Sequence, residues 1–185
     1  MKKTLVAIII VMIPLFITFF QIGCSQGPSP EELKNAIKLT DIQTKWVSKE
    51  YQPWPPKLVL VPAISFKVKN VSDFPLTYVN FNAVFRLKGE RENLGDNFMA
   101  AIRGEPVKPG EKSEKILLKS NFGVEGNSVE HFQNNPQWKT AIGEVFAQSQ
   151  GSRYVKLGEW EISRKIAFEP PEPVGERKKK EEKKK

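Results

Sequence analysis

The sequence predicts an all-β protein: a single antiparallel β-sandwich of about seven strands, placed between an apolar N-terminal helix and a charged C-terminal tail. Three observations predict this fold. Apolar and polar residues alternate with period two through the middle of the chain, turn-forming residues separate the alternating stretches, and no stretch beyond about 30–37 has sustained helical period. We therefore expect one domain at 37–168, a usual length for a single hydrophobic core.

The clearest strand lies at 79–87, where Val79, Phe81, Ala83, Phe85 and Leu87 alternate with mostly polar residues. A second strand is expected within 57–70, and Asn, Ser, Asp and Pro at 70–75 predict a turn. Further strands are expected at 39–49, 97–103, 114–120, 140–148 and 154–168. The stretch 132–140 is ambiguous, because its Asn-Asn-Pro could cap a short helical turn. Short strands with little helix favour an immunoglobulin-like sandwich, with tryptophans 46 and 160 in its core.

The N-terminus has the layout of a secretory signal, two lysines followed by an apolar run at 5–20. This run is short for a membrane span, which needs about 20 apolar residues, and Pro14 interrupts it. Cys24, the one cysteine of the chain, follows directly. The stretch Gln21-Ile22-Gly23-Cys24 resembles the lipobox of bacterial lipoproteins.

The resemblance implies that 1–23 is a lipoprotein signal peptide cleaved between Gly23 and Cys24, and that the Cys24 sulfur carries lipid whose acyl chains anchor the protein. Ser25 in place of Asp implies, in a Gram-negative host, the periplasmic face of the outer membrane. Two alternatives remain open: Cys24 is an incidental thiol, or the signal is never cleaved and acts as a helical anchor.

Two stretches flank the expected domain. Residues 24–36 contain Gly, Pro and Ser at 25–30 and predict a flexible tether. Residues 169–185 are first rich in proline and then in Lys and Glu, which predicts a disordered tail. The last ten residues carry seven basic and three acidic side chains, so much of the net charge of +8 lies outside the domain. This distribution argues against a nucleic-acid partner.

The stretch from Ile64 to Glu90 resembles the FxLYD-type immunoglobulin-like domains of bacterial lipoproteins, in which an alternating strand ends in Asn and a short turn leads to a second alternating strand. The matching residues are Val68, Asn70, Ser72, Val79, Phe81 and Phe85. The resemblance implies an immunoglobulin-like fold and carries no catalytic residues.

No group of residues predicts a catalytic or metal site, and no cofactor is expected. The single histidine, His131, has no Gly-flanked nucleophile nearby and is expected to be exposed or half-buried. One histidine is too few for a zinc site. The acidic stretch at 90–97 is expected to be a solvated loop rather than a calcium site. Glu159 and Glu161 are expected on the polar face of the last strand, opposite Trp160.

The stretch Tyr51-Gln-Pro-Trp54-Pro-Pro56 is the best candidate for partner binding, because three prolines keep it out of a central strand and hold two aromatic residues in a stiff loop. Such residues lose little entropy on binding and often anchor interfaces. In the alternative interpretation, Trp54 folds over one end of the sandwich as a lid.

Together these observations predict a lipid-anchored, non-catalytic binding or scaffolding module of the bacterial cell envelope. Its partners would be the membrane, through the lipid, and an envelope protein. Two alternatives stay open: an envelope enzyme that uses paired carboxylates on polysaccharide, and a passive tether whose cationic tail contacts anionic polymers or lipids.

Overall fold

The computed structural model describes residues 27–135 and 138–168. The expected signal peptide, Gly23, Cys24 and the tail at 169–185 lie outside these residues. The described chain contains two short helices and nine strands: α1 Pro30–Ala36, β1 Ile37–Gln52, β2 Lys57–Asn70, β3 Val79–Leu87, β4 Asn93–Ile102, β5 Ile116–Lys119, β6 Val124–Gly126, α2 Val129–Gln133, β7 Ala141–Ser149, β8 Val155–Glu161 and β9 Ile166–Ala167.

The strands form two facing sheets. One has the order β5-β2-β1-β9, with the short β6 also paired to β2, and the other has the order β4-β3-β7-β8. All paired strands are antiparallel except β1 and β9. Strands 1, 2 and 5 thus face strands 4, 3, 7 and 8, the arrangement of an immunoglobulin-like sandwich. The predicted fold class is confirmed, with nine strands in the described residues instead of about seven; β6 and β9, the unexpected ones, have three and two residues.

The hydrophobic core fills the space between the two sheets. Alternate residues of β3 point into it, and Val79, Phe81, Ala83 and Phe85 are buried. From the other sheet, Trp46 is fully buried, as the sequence predicts. Trp160 was expected in the core as well, but it is half-buried and packs against the core from β8.

The tether was predicted to extend to residue 36, but its last seven residues, 30–36, are part of the folded domain. Pro30–Ala36 forms α1, which begins with a capping box: the Ser29 hydroxyl accepts from the Glu32 N–H, and the Glu32 carboxylate accepts from the Ser29 N–H. Leu33 and Ala36 share one face of the helix and are buried in the core, where α1 packs against β7 and β8. Residues 30–36 therefore belong to the domain, because burying this apolar face outweighs the flexibility of the preceding Gly-Pro-Ser.

The last predicted strand, 154–168, is two strands on different sheets. β8 ends at Glu161, Ile162 is buried, and the Ser163 N–H donates to the Thr44 hydroxyl at 2.9 Å as the chain crosses to the opposite sheet. β9 then pairs with β1 beside Trp46. The apolar alternation through 160–168 therefore reflects contact with one core from two sheets.

The chain enters the domain and reaches the β1–β2 turn at opposite ends. Gly27 lies so close to the end of β7 that a Cβ placed on it would be 2.8 Å from the Ser149 hydroxyl oxygen. From α1, β1 runs for 16 residues, or about 50 Å at 3.3 Å per residue. We call the end with Gly27 the proximal end and the end with the β1–β2 turn the distal end.

Candidate partner-binding hairpin and the charged sheet face

The distal end carries a hairpin whose tip is residues 53–56. Tyr51 pairs with Leu58 and Gln52 with Lys57, so the ladder of β1 and β2 continues to the base of the tip. The Gln52 side-chain amide donates to the Trp54 carbonyl oxygen at 2.9 Å. With three prolines and this hydrogen bond, the backbone of the tip has few alternative conformations.

Trp54 stands at the tip with 85% of its surface exposed. It does not fold over the sandwich as a lid, so that alternative is wrong. Tyr51 is 39% exposed, and its ring packs edge-on against Phe168 with centroids 5.2 Å apart. The hairpin thus displays one free aromatic ring beside one that is fixed in orientation.

A second exposed aromatic residue near the hairpin was not predicted. Phe122 is 68% exposed, and the Lys49 ammonium lies 5.7 Å from its ring centroid while also donating to the Asn121 carbonyl oxygen. The next residue must be glycine, because a Cβ on Gly123 would lie 1.9 Å from the Leu60 carbonyl oxygen. This close approach presses the backbone onto β2 and leaves the Phe122 ring outside. No periodicity or motif in the sequence marks it.

The charges around the hairpin largely compensate one another. Lys57 lies 3.3 Å from a Glu50 carboxylate oxygen and 3.8 Å from one of Glu125. Pairs this exposed contribute little to stability. They leave the hairpin as an aromatic and proline surface with little net charge.

The carboxylates considered for polysaccharide hydrolysis lie on the outer face of the β4-β3-β7-β8 sheet. Glu159 lies next to Glu144 of β7 in the strand register. Lys156 lies 2.9 Å from both carboxylates, and Arg86 lies 3.5 Å from Glu159 and 3.6 Å from Glu144. Glu161 lies apart from them and pairs with Lys88.

The pKa of Glu159 is lowered, first by the hydrogen bond from Lys156, with a smaller effect of the Arg86 charge. A general acid needs a raised pKa, so this arrangement favours a structural ion-pair network across three strands.

The remaining candidate residues take ordinary structural positions. His131 is exposed on α2, where its backbone N–H donates to the Ser128 hydroxyl that caps the helix. The acidic stretch 90–97 is not a loop throughout, as was expected, because β4 begins at Asn93; Glu90, which precedes the strand, pairs with Lys139 at 2.6 Å. Within 27–135 and 138–168, no group of three or more His, Cys, Asp or Glu residues is arranged to hold a metal ion. No helix in the same ranges is long and apolar enough to cross a membrane.

No family model matches the chain, and no curated protein matches it either. Solved structures give weak fold-level likeness. A protein from Bordetella pertussis is 14% identical with a TM-score of 0.37, covering 69% of this chain and 94% of that one. The ligand binding region of serine-glutamate repeat protein A of Enterococcus faecium is 10% identical with a TM-score of 0.32, and the match covers 73% of this chain and 98% of that one. A protein from Archaeoglobus fulgidus is 14% identical with a TM-score of 0.33, and the match covers 68% of this chain and 98% of that one. Likeness of this degree carries no functional argument.

Proposed function

We propose that this protein is a lipid-anchored, non-catalytic binding module of the bacterial cell envelope, which presents the Trp54 hairpin to an envelope protein. The observation that carries the proposal is the exposure of Trp54, 85% at the tip of a proline-stiffened hairpin. An aromatic ring left in water on a constrained loop is typical of an interface anchor, because little conformational entropy is lost when it is buried.

The position of the hairpin supports the same proposal. The chain enters the sandwich at the proximal end, and β1 carries the hairpin about 50 Å away from that point. A lipid on Cys24 would hold the proximal end at the bilayer, so the hairpin would face the space beyond it.

We also propose kinship with the FxLYD-type domains. It is supported by the burial of Val68, Val79, Phe81 and Phe85. The two polar residues of the pattern support it too, since both the N–H and the hydroxyl of Ser72 donate to the Asn70 side-chain oxygen.

The proposal is tested by placing a photo-crosslinking benzoyl-phenylalanine at position 54 of the full chain in its native envelope. The matched control carries the same group at Tyr154, another exposed aromatic residue, which lies at the proximal end just before β8. We expect one discrete protein adduct from position 54 and none from position 154. Equal adducts from both positions, or none from position 54, would refute the hairpin as the binding site.

Two substitutions complete the test. Trp54→Ala should weaken capture of that partner by at least tenfold, as for a typical aromatic anchor, while the free energy of unfolding changes by less than about 0.5 kcal/mol. Cys24→Ser should abolish incorporation of labelled fatty acid and release the chain from membranes. Retention of both the label and the membrane association would show that Cys24 is not the anchor.

A further inference from the structure

The proximal end of the domain carries two exposed tyrosines on the β4-β3-β7-β8 sheet. Tyr78 directly precedes β3 and is 55% exposed, and Tyr154 directly precedes β8 and is 44% exposed. The residues that follow them pair with Ser149 and Ala147, on opposite sides of β7. The two tyrosines therefore flank the C-terminal end of β7.

The chain enters the domain at this same point. Residues 27–29 line one depression together with residues 150–152, the turn that leads from β7 to Tyr154. Three peptide steps of about 3.8 Å separate Cys24 from Gly27, so their Cα atoms lie at most about 11 Å apart. A lipid on Cys24 would therefore hold the end of β7, with both tyrosines, close to the head groups of the bilayer.

Tyr78 is also held in an uncommon backbone conformation. Its φ is 52°, in the left-handed region that residues with large side chains seldom adopt. The buried Leu76, two residues earlier, fixes the preceding loop, because it exchanges backbone hydrogen bonds with Val107 at 3.0 and 3.1 Å. Burial of the Tyr78 side chain does not compensate for the strained φ, since more than half of the residue is exposed. Strained residues that the surrounding structure holds in place cluster at binding sites.

The rest of the proximal end is apolar in part and nearly balanced in charge. Val71, which follows β2 in the other sheet, is 49% exposed, and its N–H donates to the Ala36 carbonyl oxygen at 2.9 Å. The loops 70–78, 103–113 and 150–154 together carry four basic and three acidic side chains. Attraction to anionic head groups is therefore small, and contact with a membrane at this end would depend on the aromatic and apolar side chains.

We propose that the proximal end docks onto the bilayer, with Tyr78 and Tyr154 between the head groups and the acyl chains. Tyrosine is enriched at this depth, because its ring is apolar and its hydroxyl group can bond to head groups or water. A span of about 11 Å is no wider than one α-helix, so it leaves little room for a folded partner between this end and the bilayer. The inference rests on the proposed lipid at Cys24, and it adds a fixed orientation of the domain in which the Trp54 hairpin points away from the membrane.

The experiment places benzoyl-phenylalanine at position 78 or 154 of the full chain, in a native envelope whose phospholipids carry radioactive phosphate. The matched control carries the same group at Phe98, which is 55% exposed like Tyr78 but lies within β4, opposite Asn82. Samples kept in the dark give the background. We expect light-dependent phospholipid adducts from positions 78 and 154 and none above background from position 98.

Two further measurements identify the aromatic residues as the contact. Tyr78→Ser should reduce the phospholipid adduct from position 154 about fivefold, because the two side chains dock as one face, whereas Phe98→Ser should leave it unchanged. Sodium chloride at about 1 M, which shortens the screening length to about 3 Å, should also leave it unchanged. The proposal is overturned if positions 78 and 154 give no phospholipid adduct, if position 98 gives as much, if a discrete protein is captured instead, or if salt abolishes the adducts.

Incorporation of labelled fatty acid into the same samples separates the docking from the anchor. Fatty acid on Cys24 without phospholipid adducts would overturn the docking and leave the anchor in place. Adducts at both tyrosine positions in a chain without fatty acid would refute the lipid on Cys24 and still support the docking. A chain with neither would overturn both.

Discussion

Asn70 shows how one buried polar side chain fixes the turn between the two sheets. It is fully buried, and its amide nitrogen donates to the carbonyl oxygens of Phe74 at 2.7 Å and Val107 at 2.8 Å. Its side-chain oxygen accepts from the N–H of Ser72 at 3.0 Å and from the Ser72 hydroxyl at 2.7 Å. The side chain therefore replaces the backbone partners that the chain loses where β2 ends.

We expect Asn70→Ala to lower the free energy of unfolding by about 2–4 kcal/mol, because it removes four hydrogen bonds of a fully buried side chain. Urea denaturation of the two proteins measures the difference. Asn80→Ala is the control, since the Asn80 side chain makes no hydrogen bond among the described residues; equal losses in the two variants would contradict this role of Asn70.

Individual residues were predictable where a local rule applies to them. Three prolines around Trp54 predicted a residue outside the sheets, and the position of Trp46 within an expected strand predicted that it is buried. Phe122 and Trp138 follow no such rule. Phe122 is exposed because the neighbouring Gly123 lies against β2, and Trp138 is buried because Trp46, 92 positions earlier in the sequence, lies against it. Such contacts join segments distant in sequence, so local patterns do not reveal them.

At the scale of elements, α1 is one part of the fold that the sequence analysis placed wrongly. Its start carries a recognisable signal, since Ser29 is followed three residues later by Glu32 and directly by Pro30 at the first helical position. The Gly-Pro-Ser composition just before it dominated the interpretation. Seven residues are also too few for a stable isolated helix, so α1 depends on the sandwich against which it packs.

We therefore expect Leu33→Ala to destabilise the whole domain by about 3 kcal/mol, the usual cost of removing a fully buried leucine side chain. The measurement is the thermal midpoint together with the unfolding free energy in urea. Lys34→Ala, on the exposed side of the same helix, should change stability by less than about 0.5 kcal/mol. If the two substitutions had the same small effect, α1 would be part of the tether after all.

At the scale of the whole molecule, several surface carboxylates make stability depend on pH. The pKa values of Glu32, Asp41 and Glu159 are lowered, chiefly by hydrogen bonds from Ser29, Lys112 and Lys156 respectively. A carboxyl group whose pKa is lower in the folded state contributes stability above its unfolded pKa, and this stability is lost as pH falls through the folded pKa.

The thermal midpoint should therefore stay level near neutral pH and fall below the ordinary carboxyl pKa, about 4. Glu159→Gln should make this fall of the thermal midpoint at acid pH shallower. Glu105→Gln is the control and should leave the fall unchanged, because the Glu105 carboxylate is exposed and makes no ion pair among the described residues. A raised pKa of Lys156, caused first by its hydrogen bond to Glu144, adds an alkaline limb, because its contribution is lost as pH rises through the folded pKa. If the thermal midpoints of the two Gln variants fell identically at acid pH, the ion pairs of Glu159 would not be a source of the pH dependence.

The overall architecture was predictable because period-two alternation is a property of each strand, and seven strands of four or more residues with one shared core admit few arrangements. The crossing of the chain from one sheet to the other at 162–165 was not predictable, because the residues before and after the crossing contact the same core.

The opposite placement of chain entry and hairpin has a mechanical consequence. A partner pulling on Trp54 while the N-terminus is held would stretch β1 along its own axis. Because β1 is already extended, its covalent backbone would carry the force from one end to the other, and the β1–β2 ladder would carry little of it. The helix at the proximal end would be loaded first, because it joins the held chain to β1, and the buried side chains of Leu33 and Ala36 would set the force at which the domain begins to yield.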